Sequence, residues 1–181
     1  MVDSGAVLIN SPLSKIQHQK SLTNICGGFM TQIINYSEAY QANFKRLNVE
    51  WISELFAIEE HDIEQLDNPE RYILKNNGAI FLAKVDEQIV GTVAMVNTEN
   101  NSYELAKMCI TPTIQGRGIG RLLCEKAIEF GKEQGAKLIW LESNRRAETA
   151  LILYEKVGFV EVPMLPSPYA RADIRMELVV E

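Results

Sequence analysis

A glycine-rich turn at residues 115–120 offers the clearest chemistry in this sequence. It reads Gln-Gly-Arg-Gly-Ile-Gly and separates an apolar strand-like run from an amphipathic helical segment. The backbone N–H groups of a first helical turn lack partners and face the same way, and the helix dipole favours negative charge there. Three glycines let a phosphate approach the backbone and permit positive φ angles. Because Arg117 and Arg121 add positive charge, the turn is predicted to bind an anion.

Two common nucleotide-binding loops do not fit this turn. Counted from Gly116, the dinucleotide fingerprint G-x-G-x-x-G requires its last glycine where the chain has Arg121. The Walker loop G-x-x-x-x-G-K requires a glycine and then a lysine where the chain has Arg121 and Leu122. Both patterns therefore fail.

The turn instead resembles the Q/R-x-x-G-x-G/A signature of the GNAT acetyltransferases, which Gln115, Gly118 and Gly120 satisfy. The resemblance is strongest from residue 103 to residue 161. Three further segments stand at the expected intervals around the turn: Glu-Leu-Ala-Lys-Met at 104–108, Leu-Glu-Ser-Asn at 141–144, and Leu-Tyr-Glu-Lys-Val-Gly-Phe at 153–159. These matches identify the chain as a member of that family, and a glycine-rich turn that merely caps a helix is the alternative.

The resemblance implies acetyl-CoA as cosubstrate. In this family the pyrophosphate lies on the N–H groups of the signature turn, and the pantetheine arm pairs with the preceding strand like an extra strand. The corresponding residues here are Gln115, Gly116, Arg117, Gly118, Ile119, Gly120 and Arg121 for the pyrophosphate, and the backbone of Met108, Cys109 and Ile110 for the arm. Asn144 resembles the family's side-chain contact to the arm, and a helix N-cap is an equally good interpretation.

The resemblance also implies an acid and a base. A base is needed because an alkyl ammonium with a pKa of about 10.4 is almost wholly protonated at neutral pH. Glu104 stands where some family members carry a general-base glutamate, and a solvated glutamate or a structural ion pair is the alternative. Tyr154 matches the tyrosine that protonates the departing CoA thiolate or holds the sulfur, and packing in the core is the alternative. Cys109 and Cys124 are interpreted as core residues, since no sequence neighbour would activate either thiol.

The acceptor is less well indicated. An acidic stretch comprises Glu59, Glu60, His61, Asp62 and Glu64. It could attract a cationic amine, but a solvated helix face is the favoured interpretation. Tyr169 or Arg171, at the end of a proline-rich loop, could border the acceptor pocket. We expect direct transfer in a ternary complex to a primary amine of a small molecule, with a protein amine, or an acyl-CoA sensor that transfers nothing, as alternatives.

The predicted elements that position these residues form one α/β (α+β) domain, and the resemblance implies that it has the GNAT fold. We expect a mixed central sheet of about six or seven strands and about four or five helices, with an antiparallel N-terminal half and a splayed parallel pair around the crossover helix. The predicted strands are 32–35, 79–85, 89–97, 103–110, 137–141, a short strand after Gly158-Phe159, and 171–179. The predicted helices are 37–46 with Ser37 as N-cap, 49–56, one starting at Asn68-Pro69-Glu70, one from residue 119, and 146–155.

Composition narrows the function classes. The 181 residues suit a single domain, and no apolar run approaches the length of a membrane span, so no membrane partner is expected. A net charge of -6 argues against non-specific nucleic-acid binding. Three cysteines form neither a C-x-x-C pair nor a Cys/His array, so no metal site and a reducing, cytoplasmic setting are predicted. The oligomeric state is open, and a homodimer is one state that the sequence allows.

Residues 1–29 differ from the remainder, since they are rich in Ser, Asn, Gln and Gly and lack apolar periodicity. They are predicted to form a flexible extension before an N-acetyltransferase domain at 30–181. They do not resemble a signal peptide, because no basic flank precedes the short apolar stretch. Met30 as the natural start is one hypothesis, and a genuine disordered tail is the other.

Overall fold

The computed structural model describes residues 22–26 and 29–180, with side chains from residue 30 onwards. The strands are β1 (Leu22–Cys26), β2 (Phe29–Asn35), β3 (Ala79–Val85), β4 (Gln88–Thr98), β5 (Ser102–Ile110), β6 (Leu138–Ser143), β7 (Val160–Val162) and β8 (Ile174–Val179). The α-helices are α1 (Gln41–Leu55), α2 (Glu60–Asp67), α3 (Pro69–Tyr72), α4 (Ile119–Glu133) and α5 (Glu148–Lys156). In the described part of the chain, every helix is too short or too polar to cross a membrane.

All the strands join one mixed sheet in the order β1-β2-β3-β4-β5-β6-β8-β7. Strands β1 to β5 form an antiparallel series, β5 and β6 are parallel, and β8 runs antiparallel to both β6 and β7. Helix α4 connects the parallel pair, as a crossover between parallel strands requires. The predicted mixed sheet with an antiparallel first half is therefore confirmed, although the described residues form eight strands where six or seven were expected. The five α-helices agree with the predicted number, but α1 spans two predicted helices and α2 was not predicted.

The parallel pair separates after only three residues. The pairing joins Ser102–Glu104 to Leu138–Trp140 and then stops, although both strands continue. Strand β5 also carries an irregularity on its other side, because its register with β4 shifts between Thr92 and Ala94. Lys107 lies opposite this shift in a left-handed conformation (φ 51°), as in a β-bulge. The predicted splay is confirmed, and it leaves the β6-facing edge of β5 open from residue 105.

Helix α1 corrects the prediction of two helices at 37–46 and 49–56. A short 3-10 turn follows Ser37, whose side chain forms no capping hydrogen bond, and α1 then runs unbroken to Leu55. The predicted break fell near Asn48, a residue type that competes with helical bonds. Asn48 is buried and donates to Phe44 O (2.9 Å) and Thr92 Oγ1 (3.1 Å), so the fold satisfies its amide inside the helix.

Two apolar clusters cover the two faces of the sheet. On one face α4 buries the predicted stripe, including Leu123, Ala127 and Phe130, against β3, β4 and β5. On the other face α1 and α2 pack on the same strands through residues that include Phe44 and Leu66. The helices thus cover the central strands from both sides.

Strand β1 falls within the predicted extension at 1–29 and pairs with β2 from Leu22↔Ile33 to Cys26↔Phe29. This backbone pairing differs from the flexible state predicted for those five residues. Residues 1–21, 27 and 28 lie outside the described residues. The domain boundary at residue 30 and the start at Met30 stay predictions.

Candidate active site

The opening between β5 and β6 contains a cavity of about 70 Å³. Its walls come from the bulged part of β5, the end of β6, helices α1, α2 and α5, and the loop before β8. The lining residues are Asn48, Trp51, Ile52, Asp62, Glu104, Leu105, Ala106, Lys107, Met108, Glu142, Ser143, Asn144, Ala150, Tyr154, Tyr169, Arg171 and Ala172. The splay therefore brings the two predicted catalytic residues, Glu104 and Tyr154, to one cavity.

Glu104 is the last residue of β5 that pairs with β6. Removal from bulk water raises its pKa to about 7, while the charge of Lys107 lowers the pKa and the neighbouring Glu142 raises it. Its carboxyl group makes no hydrogen bond or ion pair with another described residue. The structural ion pair that the sequence offered as an alternative role for Glu104 is thus not formed. The Glu104 carboxyl group can gain or lose a proton near neutral pH.

Tyr154 combines packing with access to the cavity. Its ring is buried and meets Phe159 edge to face, with the centroids 6.0 Å apart. Burial raises the pKa of its hydroxyl group above the ordinary value of 10.0, so the hydroxyl keeps its proton at neutral pH. Within the part of the chain that the structure describes, no residue hydrogen-bonds this hydroxyl, which leaves it available as a donor.

The glycine-rich turn has the predicted conformation at two positions. Gly116 and Gly118 have φ angles of 76° and 82°, which residues with a side chain rarely adopt. Gly120 has another role, because it lies in the first turn of α4, where an added Cβ would stand 3.0 Å from Leu153 Cδ2 and 3.4 Å from Met108 Cε. It permits α4 to approach α5 and β5 closely.

The start of α4 presents free backbone donors. The first intrahelical bond runs from Leu122 N to Gly118 O (3.2 Å), so the N–H groups of the three residues between them have no helical partner. Apart from the glycine and its two neighbours in the chain, no atom of the described residues lies within 4 Å of the position a Cβ would take on Gly116. Gln115 fixes the turn to the end of β5 by donating to Ile110 O (3.0 Å), and exposed Arg121 pairs with Glu125 (2.7 Å). This geometry suits an anion.

Successive side chains of β5 before the glycine-rich turn lie on opposite faces of the sheet. Met108 lines the cavity, whereas the Cys109 side chain packs in the opposite cluster, 3.3 Å from Thr92 Oγ1. Burial raises the pKa of the Cys109 thiol to about 11 and that of Cys124 to about 12. The interpretation of both cysteines as core residues is confirmed.

Asn144 lines the cavity but already uses its amide. The side chain donates to Arg171 O (2.7 Å) and accepts from Arg146 N (2.9 Å), which closes a turn before α5. The N-cap residue of α5 is Ala147, three residues after Asn144, so the interpretation of Asn144 as the N-cap is wrong. Asn144 instead joins the end of β6 to the loop that carries Arg171.

Asp62 contradicts the interpretation of residues 59–64 as a solvated helix face. Its side chain is 0% exposed and accepts hydrogen bonds from Lys107 Nζ (3.0 Å), Arg171 Nη1 (2.6 Å) and Arg171 Nη2 (2.8 Å). Glu59 completes the cluster by accepting from Arg171 Nη1 (2.9 Å). Tyr169 and Arg171 line the cavity, as the sequence suggested for the acceptor pocket.

Lys107 is a charged lining residue to which the sequence assigned no role. Its side chain is 4% exposed, and its ammonium group also donates to Tyr169 Oη (2.8 Å). One signal was present, because Lys107 has the strand parity of Leu105 and Cys109, which are both buried. A lysine at a position that alternates with buried residues indicates either a bulge or a buried ion pair, and here both occur: the bulge places Leu105 and Cys109 in the clusters on opposite faces of the sheet.

Comparison with known proteins identifies the family. The model of the acetyltransferase (GNAT) family matches residues 40–159. The [ribosomal protein bS18]-alanine N-acetyltransferase of Haemophilus influenzae is 41% identical over 102 residues, which cover 54% of this chain and 68% of that protein. The chain spans about half the length of other curated relatives that it matches.

Solved structures show the same fold. A GNAT-family acetyltransferase from Staphylococcus aureus Mu50 superposes with a TM-score of 0.78 at 24% identity, covering 83% of this chain and 99% of that one. A Salmonella typhimurium protein solved with its cofactor acetyl-CoA gives 0.67 at 14% identity, covering 83% and 94%. With the family model spanning most of the chain, the splayed sheet and the glycine turn have one consistent explanation: the chain is an acyltransferase of the GNAT N-acetyltransferase family.

Proposed function

We propose that the chain transfers an acetyl group from acetyl-CoA to a primary amine by direct attack in a ternary complex. One observation carries the proposal: the cavity at the splay holds Glu104, which titrates near neutral pH, and Tyr154, which keeps its proton. These are the two proton-transfer partners that such a reaction requires, and they come from elements 50 residues apart in the sequence.

The residues around the glycine turn fit the cosubstrate. The free N–H groups at the start of α4 and the open space at Gly116 would hold the pyrophosphate, with Arg117 and Arg121 adding positive charge. The exposed edge of β5 at 108–110 offers backbone groups for the amides of the pantetheine arm. Acetyl-CoA supplies the acetyl group as a thioester with a thiolate leaving group.

The chain's residues then manage the protons. Glu104 takes a proton from the acceptor ammonium, directly or through water, and the neutral nitrogen can form its bond to the acetyl carbon. As the carbon–sulfur bond breaks, Tyr154 donates its hydroxyl proton to the developing thiolate. The ammonium has three N–H bonds and the amide has one, so two protons leave the nitrogen. The first goes to Glu104, and the second leaves the tetrahedral intermediate to solvent, from which Tyr154 recovers the proton that it gave to the thiolate. Glu104 then returns its proton to solvent, so each turnover yields the amide, the CoA thiol and one released proton.

A small-molecule amine is the first candidate acceptor, and Glu104 lines the cavity that would receive its amino group. The relative from Haemophilus influenzae carries a name that specifies a ribosomal-protein alanine, which supports the amine of a protein terminus as a second candidate. Both candidates place one amino group beside Glu104, so they share the catalytic residues and differ in what lies outside the cavity.

The test begins with binding and proceeds to turnover. Acetyl-CoA at 100 times its Kd should stabilise the protein by about 2.7 kcal/mol, seen as a rise in Tm. CoA release is then measured with small primary amines and with peptides that begin with alanine. Release with an amine supports the proposal. Stabilisation by acetyl-CoA without release for any acceptor would favour an acyl-CoA sensor instead.

A further inference from the structure

The charged side chains around the cavity differ in how many of their hydrogen-bonding positions are already used. Asp62 accepts four hydrogen bonds, from Lys107, twice from Arg171, and from the backbone N–H of Glu59 (3.1 Å). Glu142 accepts from Ser167 Oγ and lies 3.9 Å from Arg175. Glu104 is therefore the one lining carboxylate that lacks a partner among residues 30–180. An acceptor with a second ammonium group would find no free carboxylate for it.

The lining cations, by contrast, keep unused donors. Lys107 Nζ has three hydrogens and uses two, on Asp62 and Tyr169. Arg171 has five N–H donors and uses three through its side chain, which leaves the Nε hydrogen and one on Nη2. Lys107 Nζ and Arg171 Nη2 both bond Asp62 Oδ1, so the two nitrogens are neighbours.

We propose that Lys107 and Arg171 bind a carboxylate on the acceptor, so that the substrate is a small amine carrying a carboxylate close to its amino group, as in an α-amino acid. This inference rests on the proposed function for the position of the amino group, which lies at Glu104. Two adjacent cationic donors match the two oxygens of a carboxylate, and charge-assisted bonds inside a cavity are stronger than those in water.

The surroundings hold this pair of donors in place. The bulge at Lys107 turns its side chain from the strand into the wall, and the aromatic ring of Tyr169 lies 5.0 Å from its Nζ and 4.5 Å from Arg171 Cζ. Glu59 fixes the other side of Arg171 and also accepts from Ala170 N (2.8 Å). The donors are thus preorganised, which lowers the entropic cost of binding an anion.

The test measures binding to the complex with CoA, which cannot turn over. The probes are the common L-amino acids, the corresponding amino acid amides, and spermidine, titrated by calorimetry against the full chain saturated with CoA. At least one amino acid should bind at least tenfold more tightly than its amide and than spermidine. In Lys107→Met that preference should disappear. Lys126→Met removes another buried lysine, 8% exposed and paired with Glu129 away from the cavity, and should keep the preference.

The outcomes separate this inference from the proposed function. Equal binding of acids and amides, tightest binding of spermidine, or no binding by any probe would overturn the carboxylate site. A retained preference in Lys107→Met, while CoA still stabilises that variant, would also overturn it. CoA release from acetyl-CoA is measured in parallel: carboxylate-selective binding without release refutes the proposed transfer and leaves the site standing, whereas release without selectivity does the reverse.

Discussion

Replacing Asp62 with asparagine should destabilise the protein by about 3–5 kcal/mol, the usual cost of breaking a buried ion pair from one side. The side chains of Asp62 and Lys107 are 0% and 4% exposed, so water cannot compensate for the lost charge. Lys107 would keep only the Tyr169 hydroxyl (2.8 Å) among its present partners. Arg171 would keep Glu59, so the uncompensated charge falls mainly on Lys107.

The pH dependence of this effect has a definite sign. Burial raises the pKa of Asp62, but the hydrogen bonds from Arg171 and the charge of Lys107 outweigh burial, and the pKa lies below its ordinary value of 3.8. The carboxylate therefore contributes stability that is fully present above pH 3.8 and is lost as the pH falls through the lower folded-state pKa. The difference between wild type and Asp62→Asn should shrink only in that acid window.

Urea unfolding at neutral pH measures the cost. Asp67→Asn is the matched control, because Asp67 forms a half-exposed ion pair with Lys45 and should lose less than about 1 kcal/mol. The double variant Asp62→Asn with Lys107→Met should be more stable than Asp62→Asn alone, since removal of both charges is cheaper than removal of one. A loss for Asp62→Asn no larger than that of the control, with an unchanged m-value, would refute the buried ion cluster.

Three further predictions concern single residues. Tyr154→Phe should lower kcat by about 10²-fold, the scale of general acid catalysis, while the Kd for acetyl-CoA measured by calorimetry stays nearly constant; an unchanged kcat would remove Tyr154 from the acid role. Gly78→Ala should lower the free energy of unfolding by about 3 kcal/mol in urea titrations, because the added Cβ would lie 2.2 Å from Ile73 O. A smaller loss than that of a Gly→Ala change on the surface would be inconsistent with this packing. Burial raises the pKa of Glu104 from 4.5 to about 7, so the folded state holds an extra proton between these pH values. The free energy of unfolding of the wild type should therefore fall as the pH rises from 4.5 to about 7. Glu104→Gln should remove this dependence, and equal slopes for the two proteins would contradict the burial of Glu104.

The strands were predictable because their side chains are of the types that favour strands. The run at 79–85 is apolar except for Lys84 and includes β-branched Ile80 and Val85, and β3 occupies those same residues. The direction of β6 followed from the helix that precedes it, since a crossover makes the joined strands parallel. Helix α1 was divided wrongly because its continuity depends on the bond from Asn48 to Thr92, 44 residues away. Local propensity contains no information on such a partner.

The candidate site likewise contains residues that the sequence predicted and residues that it did not. The glycine turn, Glu104 and Tyr154 were found because short segments at characteristic spacings contain them. The burial of Asp62 was missed, since its partners Lys107 and Arg171 are 45 and 109 residues away and the stretch at 59–64 is acidic and polar except for Ile63. The final strand starts at Ile174, three residues later than predicted, because Arg171 turns towards this cluster.

The most direct test of the account is the pH dependence of kcat/KM for wild type and Glu104→Gln, measured by CoA release with the best acceptor of the amine panel. We predict that wild-type kcat/KM rises through an ionisation at pH about 7, separate from that of the acceptor amine. Glu104→Gln should lose this step and about 10²–10⁴-fold in rate, while acetyl-CoA still raises its Tm. A variant that retains both the rate and the ionisation near pH 7 would show that Glu104 is not the base.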